Sequence, residues 1–241
     1  MKLDALAFGA HPDDVELTCG GTLIKLIDQN HKIGVIALTQ GEAGTLGNAS
    51  TRAMEFKKAA NVMGLSIHKM LDIPDSNIIS NQENRIKVIS EIRKYRPKIV
   101  FAPYWKDRHP DHERASVLIR EAAFLSGIQK LETNQASHRP YRVIYYPSRI
   151  EFQPSFIVDI TECHARKLNA IKAYKSQFQL ELDQEEININ RPQFLEAVVA
   201  RAKQYGSYIG ADYGESFLVR EPLRMDDPVN FFDAQYLDAL L

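Results

Sequence analysis

The sequence predicts an α/β fold: one Rossmann-like domain of three α/β/α layers around a mostly parallel sheet. Three observations predict it. Short apolar runs of strand length alternate along the chain with helical stretches, the order that builds a parallel sheet covered on both faces. The 241 residues amount to one large domain at roughly 100–200 residues per domain. No linker, repeat or low-complexity tract interrupts them, so residues 1–241 are read as a single domain.

The elements follow in order. Residues 3–9 (LDALAFG) are a short apolar run ending in glycine, which reads as a buried first strand. Gly20-Gly21 then opens a periodic apolar stretch that predicts a helix ending near Asn30. Residues 33–39 (IGVIALT) repeat the buried-strand pattern, and residues 40–50, rich in Gly and small polar side chains, read as a loop. Thr51 is expected to cap a helix running to Met63 and closed by Gly64. Residues 69–73 predict a third strand, the spacing of Ile86, Ile89 and Ile92 predicts a helix over 83–95, and residues 98–103 (KIVFAP) predict a fourth strand. A polar loop over 104–111 runs into a helix over 110–126, because proline suits the first helical position. Residues 129–140 read as a polar insert, 142–146 and 156–160 as strands, 161–175 and 194–207 as helices, and 216–220 as a last short strand. Residues 179–190, acidic and irregular, read as a surface excursion.

Composition removes several classes of function. Lys plus Arg number 30 and Asp plus Glu 31, a formal net charge of −1, so there is no electrostatic footprint for nucleic acid or an anionic membrane. Apolar residues at 44% and charged residues at 25% are ordinary globular values that support a core without crosslinks. The first nine residues fit neither a signal peptide nor a spanning helix, and no window approaches ~18 consecutive apolar residues. Cys19 and Cys163 stand far apart in no CxxC spacing, which argues against a disulfide framework or a thiolate metal site. The expected compartment is the reducing cytoplasm.

Chemistry concentrates in two segments. His11-Pro12-Asp13-Asp14 directly follows the first predicted strand, at the carboxyl edge where doubly wound sheets put their ligands. His11 and Asp14, three apart, can turn toward one point and leave Asp13 beside them. The plainer alternative is that Asp13 or Asp14 caps the next helix. Arg108-His109-Pro110-Asp111-His112 follows the fourth predicted strand, so it belongs on the same edge. His109 and His112 are three apart across a helix start and can project to neighbouring positions. Three N and O ligands with a fourth position open are the pattern of a catalytic metal site, because structural zinc sites fill all four positions and commonly use thiolates. His31, His68, His138 and His164 stand alone in polar settings and read as surface or partly packed residues.

With both clusters in place, the chain resembles the PIG-L/LmbE-like family of zinc-dependent N-acetylglucosaminyl deacetylases. The pairing of His11-Pro12-Asp13-Asp14 with His109-Pro110-Asp111-His112, each after a strand and in the expected order, carries that resemblance. It extends to Thr39-Gln40-Gly41-Glu42 and to Thr51-Arg52 with Glu55, which fit the family's loop and helix after the second strand. The run Tyr205-Gly206-Ser207-Tyr208-Ile209-Gly210, followed by Tyr213-Gly214-Glu215-Ser216-Phe217 and Arg220-Glu221-Pro222-Leu223, is similar to one branch. That branch comprises the bacillithiol-biosynthesis deacetylases acting on N-acetylglucosaminyl-malate.

The resemblance implies that His11, Asp14 and His112 hold one Zn2+ per chain, although a site of this donor type also accepts iron, cobalt or nickel. A carboxylate and two neutral imidazoles leave that site positive, which acidifies a bound water toward a pKa of ~7. Asp13 is then the general base. A protonated His109 faces the oxyanion, with Asp111 orienting it and keeping it charged. Arg52 is the candidate for an anionic end of the substrate, Glu42 for sugar hydroxyls, and Arg108 for the pocket lining beside Asp107. Plainer readings stay open: Asp111 as an acid in a first helical turn, Arg52 as a solvent-facing or Glu55-paired helix residue, Glu42 as a loop residue. Tyr104 and Trp105 fit either a sugar face or the core. The proton for the leaving amine comes from Asp13 or His109. The resemblance further implies a homo-oligomer such as a hexamer, with the apolar residues 229–232 between subunits or against their own chain.

The expected function is zinc-dependent removal of acetyl from an N-acetylglucosamine conjugate, a small molecule, with N-acetylglucosaminyl-malate the foremost candidate. The enzymatic alternative is the same reaction on a chitin fragment, a mycothiol-type conjugate or an antibiotic precursor. The alternative of another class is a metal-sensing or nucleotide-binding module, but the sequence has no G-x-G-x-x-G and no Walker pattern, and Asp13 serves hydrolysis rather than sensing. The variant Asp13→Asn separates the two classes: a hydrolase loses kcat and keeps its metal, whereas a sensor keeps its response. Metal quantification beside an acetate-release assay reads both outcomes.

Overall fold

The apolar runs pair edge to edge in a computed structural model of the chain, which describes residues 1–178, 190–227 and 229. The elements are β1 (Ala5–Gly9), α1 (Asp14–Thr18), α2 (Gly20–Asp28), β2 (Ile33–Ala37), α3 (Ala49–Met63), β3 (Ile67–Met70), α4 (Gln82–Tyr95) and β4 (Ile99–Pro103). They continue with α5 (Pro110–Leu125), β5 (Arg142–Tyr146), β6 (Phe156–Asp159), α6 (His164–Ile171), α7 (Lys175–Phe178), α8 (Pro192–Ser207) and β7 (Gly214–Val219). The strands form one seven-stranded sheet in the order β3-β2-β1-β4-β5-β7-β6. Its first five strands are parallel, and β7 runs antiparallel to β5 and β6. The predicted α/β class and mostly parallel sheet are what the chain forms.

Two cores follow from the alternation of side chains along each strand. Leu6 and Phe8 of β1 pack on one face with Val88, Ile89 and Ile92 of α4 and Leu118 and Ile119 of α5. Ala5 and Ala7 point the other way, into a core with Leu23 and Ile24 of α2, Phe56 of α3 and Tyr174. Helices therefore cover both faces. Cys19 and Cys163 are buried free thiols, as small core residues. No described helix is long and apolar enough to cross a membrane.

Local differences from the sequence reading have local causes. The cap of α3 is Asn48, whose side chain accepts the Thr51 N–H at 2.9 Å, so the helix starts two residues before Thr51. Gly64 ends α3 with φ +83°, as a left-handed cap requires. A separate short helix, α1, starts at Asp14 and precedes α2. The predicted helix over 161–175 breaks into a 3-10 turn at Thr161–Cys163, then α6, with α7 starting at Lys175. Apart from Asn190 and Val229, the expected excursion over 179–190 and the apolar stretch 229–232 fall outside the described residues.

One buried ion pair ties three elements. Glu215 of β7 accepts the Gly21 and Thr22 amides at the start of α2, at 2.9 and 2.7 Å, and the Lys167 ammonium of α6 at 2.6 Å. A carboxylate at a helix N-terminus meets the positive end of the helix dipole. Gly21 is needed because a Cβ there would stand 2.8 Å from Ile160 Cδ1 and 3.0 Å from Glu215 Oε1. Both partners are nearly inaccessible, Lys167 at 2% and Glu215 at 3% exposure. Lys167→Met strands a buried carboxylate and is expected to cost about 3–5 kcal/mol in urea unfolding. A loss below about 1 kcal/mol, the value of an exposed pair, would show that water replaces the ammonium.

Candidate active site

Both sequence motifs reach the same edge of the sheet. β1 and β4 are parallel neighbours in the register Ala5↔Ile99, Leu6↔Val100, Ala7↔Phe101, so the segments leaving their carboxyl ends meet. β1 is also where the strand order reverses, since β2 lies on its other side. Crevices at such reversals are where open α/β sheets bind ligands. His11, Asp13 and Asp14 come from the β1 exit, and His109, Asp111 and His112 from the N-terminus of α5. The turn after β3 adds Asp75.

Asp14 stands between two imidazoles. Its Oδ2 accepts the His11 backbone N–H at 2.8 Å and lies 3.5 Å from His11 Nδ1, and its Oδ1 lies 3.2 Å from His112 Nε2. The far ring nitrogens face further carboxylates: His11 Nε2 meets Asp75 at 3.1 Å and Asp111 at 3.4 Å. His112 Nδ1 faces Asp107 Oδ1 at 3.4 Å, a charge contact rather than an aligned hydrogen bond.

The ligand atoms of His11, Asp14 and His112 all lie within 4.8 Å of one another, and those of His11, His109 and Asp111 do the same. The first trio fits a divalent ion better. Both of its histidines are backed by carboxylates, the usual support for imidazoles that bind metal, whereas Asp111 Oδ2 already accepts the Ser76 N–H at 2.8 Å.

Protonation shows the same tension. Burial pulls His11 and His112 down, but the surrounding carboxylates outweigh it, holding His11 well above the ordinary imidazole range and His112 at about 9. Asp14 goes the other way: burial raises it, and the two imidazoles bring it well below the usual carboxylate range. Asp75 and Asp107 are held near 2 by their imidazole partners against the opposing effect of burial. Asp13 has no imidazole partner, and burial pushes its carboxyl up to about 7 despite the Arg52 charge.

Asp13 is also strained. Its φ is +105°, a conformation that non-glycine residues rarely adopt, and holding it costs of order 1–3 kcal/mol. Arg52 clamps it: one guanidinium nitrogen donates to Asp13 Oδ2 at 3.1 Å and to the Pro12 carbonyl at 2.5 Å. Arg52 is 5% exposed, and the Gly-rich loop lies against it. A Cβ on Gly41 would stand 2.7 Å from its Cζ.

The structure gives Arg52, Glu42 and Asp111 partners within the protein. Arg52 lines the cavity and is paired with Asp13 rather than turned to solvent. Its Glu55 neighbour does not pair with it and instead accepts Ser176 N–H and O–H at 2.8 and 2.6 Å. Glu42 is not among the lining residues, because its oxygens accept the Asp75 and Gln40 amides at 2.8 and 3.1 Å. The Asp111 carboxylate goes to His11 and Ser76. What His109 receives is the Asp111 backbone N–H, at 3.2 Å to Nδ1. Burial and then the positive charges of His112 and His11 push His109 below the ordinary range, so it is a neutral ring with its proton on Nε2.

A cavity of about 630 Å³ is lined by His11, Asp13, Asp14, His109 and His112 together with Arg108 and Asp75. Tyr104 and Trp105 are not among its lining residues. They meet each other at a tilt and pack edge to face on Phe152 and Tyr145 instead. Sequence reasoning missed Asp75, although the exit of the third strand reaches the same edge and Pro74-Asp75-Ser76 reads as a turn. It also missed Arg149 and Arg201 on the far wall, for which no motif exists.

A family model described as PIG-L: GlcNAc-PI de-N-acetylase matches residues 6–123. The chain is 31% identical over 185 residues to the diacetylchitobiose deacetylase of Thermococcus kodakarensis, covering 72% of this chain and 69% of that one. It is 25% identical over 185 residues to a probable N-acetyl-alpha-D-glucosaminyl L-malate deacetylase 2 of Bacillus anthracis, covering 70% and 78%. The crystal structure of the conserved protein TT1542 from Thermus thermophilus superposes with a TM-score of 0.85 at 36% identity, covering 92% of this chain and 97% of that one.

In the metal-free chain at pH 7, His11 and His112 carry protons that a divalent ion must displace. Zn2+ binding is expected to release about two protons, and its affinity to rise with pH until His112 deprotonates near 9. Calorimetric titration in buffers of different ionisation enthalpy counts the protons. Uptake without proton release would place the ion elsewhere.

Proposed function

From the premise that the chain belongs to the GlcNAc-PI de-N-acetylase (PIG-L) family of deacetylases, we propose that it hydrolyses the acetamide of an N-acetylglucosamine conjugate using one Zn2+ held by His11, Asp14 and His112. The observation that carries this reading is the placement of Asp13: a buried carboxyl with a pKa near neutrality, in a strained conformation, beside a carboxylate and two imidazoles in one cavity.

Zn2+ in such a site supplies Lewis acidity to the acetyl carbonyl and acidifies water. The chain's own residues do the rest. Asp13 Oδ1, the oxygen that Arg52 leaves free, takes a proton from the attacking water as the new C–O bond forms. The Nε2–H of His109 donates to the oxygen on which negative charge develops, held in place by the Asp111 N–H on Nδ1. As the C–N bond breaks, Asp13 returns its proton to the amine nitrogen, which a carboxyl near 7 can do at neutral pH. Acetate and the free amine leave. Arg52 fixes the rotamer of Asp13 throughout, and Asp75, Asp111 and Asp107 fix the histidines.

The conjugate proposed for the first test is N-acetylglucosaminyl-malate, the substrate of the branch that the C-terminal sequence is similar to. N,N′-diacetylchitobiose and free N-acetylglucosamine are the comparisons. Acetate release by the zinc-loaded chain, followed by mass spectrometry and abolished by chelation, is the expected result. His109→Ala is expected to lower kcat by ~10²–10³ with metal content retained. A loaded chain that releases acetate from none of the three overturns the reading.

A further inference from the structure

The cavity continues past the metal cluster to a wall that neither motif builds. Arg149, in the loop after β5, and Arg201, on α8, line it together with Arg108. Arg201 is largely buried, and its Nη1 donates to the Ser148 carbonyl. Arg149 lies with its guanidinium 4.6 Å above the Phe194 ring, a stacking contact that fixes its position. Arg108 and Arg201 both act on Arg149 through their charge, and all three line the one cavity. Two acids lie near. Asp107 has its oxygens taken by the His109 and Arg149 amides at 2.8 and 3.2 Å. Glu151 lines the same wall and acts on Arg201 through its charge. Among the described residues, none of the three arginines has an acid within ion-pair distance. Among the described residues the three guanidiniums have Glu151 as the one acid on their wall with oxygens not taken by backbone amides, and like charges side by side repel. A bound anion relieves that repulsion, because guanidinium matches carboxylate and phosphate with paired hydrogen bonds.

We propose that Arg149 and Arg201 form an anion subsite that holds a carboxylate or phosphate on the part of the substrate beyond the acetylated sugar, and that they set which conjugate is turned over. The inference rests on the deacetylase reading and adds the residues that choose among conjugates. Both arginines lie outside the matched residues 6–123, whereas Asp13, Arg52 and His109 lie inside them. The subsite thus belongs to the half of the chain that the family model does not describe. Arg52, nominated by the sequence for an anionic end, is occupied with Asp13.

The test compares wild type, Arg149→Gln and Arg201→Gln, each zinc-loaded and with matched circular dichroism. The substrates are N-acetylglucosaminyl-malate, N-acetylglucosamine 1-phosphate and neutral N,N′-diacetylchitobiose. The preference in kcat/KM for an anionic over the neutral substrate is expected to fall about 10–100-fold in each variant, mostly through KM. The arm that shows the larger preference in the wild type tells carboxylate from phosphate. Equal losses on all substrates, or a wild type without anion preference, overturn the subsite. Titration with L-malate alone gives a readout independent of turnover. Binding that the double variant loses supports the subsite even if no acetylated sugar is hydrolysed, in which case only the deacetylase reading fails. Identical malate binding by wild type and double variant overturns it. If Arg201→Gln does not fold, Arg149→Gln, on an exposed side chain, carries the test.

Discussion

Everything at the carboxyl edge of the sheet depends on the Asp14 carboxylate held between His11 and His112. A largely buried carboxylate costs several kcal/mol unless it is paired, and the two imidazoles 3.5 and 3.2 Å away answer it. They lean outward on Asp75, Asp111 and Asp107, and those in turn accept backbone amides from the turn after β3, the start of α5 and the loop after β5. Negative and positive groups alternate from the centre to the frame. Two protons on the histidines and one divalent cation carry the same charge, so exchanging one for the other leaves the balance of this shell intact. That balance is what suits a cluster so rich in acids to a divalent cation.

The same edge tolerates local costs that the rest of the fold avoids. Asp13 keeps a positive φ that an ordinary capping residue would relax, and Arg52 holds it there by gripping both its carboxylate and the preceding carbonyl. The Gly-rich loop comes close enough to that guanidinium that glycine is the residue that fits at Gly41. At Gly9, a Cβ would stand 3.0 Å from the His11 carbonyl and 3.1 Å from Asp14 Cβ, so the strand must end in glycine for the motif to fold back over it. The crowded arginines on the far wall are another such cost. Strain and like-charge crowding of this kind are expected where a site, rather than stability, sets the sequence.

The Glu215–Lys167 pair shows the opposite case. Tyr213-Gly214-Glu215-Ser216-Phe217 carried part of the resemblance to deacetylases, yet its carboxylate is spent on the start of α2 and on a buried ammonium. It ties β7 and α6 to the start of α2, and α6 and α2 in turn pack on α1, which begins at Asp14. A motif that looks functional in sequence can be the brace of a function performed elsewhere.

The sequence by itself determined the α/β class, nearly every strand and long helix, and the cluster of His11, Asp13, Asp14, His109 and His112. It could do so because strand-length apolar runs and capped helices are local patterns, and because two His-Pro-Asp segments after two strands of a parallel sheet must share one edge. The partners of those residues were decided only by the tertiary structure. Whether Arg52 meets a substrate or Asp13, whether Glu42 faces a sugar or the Asp75 amide, and whether Asp111 presents its carboxylate or its amide to His109 depend on loops of different origin converging in space. So does the meeting of Arg108, Arg149 and Arg201, which come from three separate elements. Hydrogen-bond partners at these distances are fixed by geometry of an ångström or less, and no spacing along the chain encodes that.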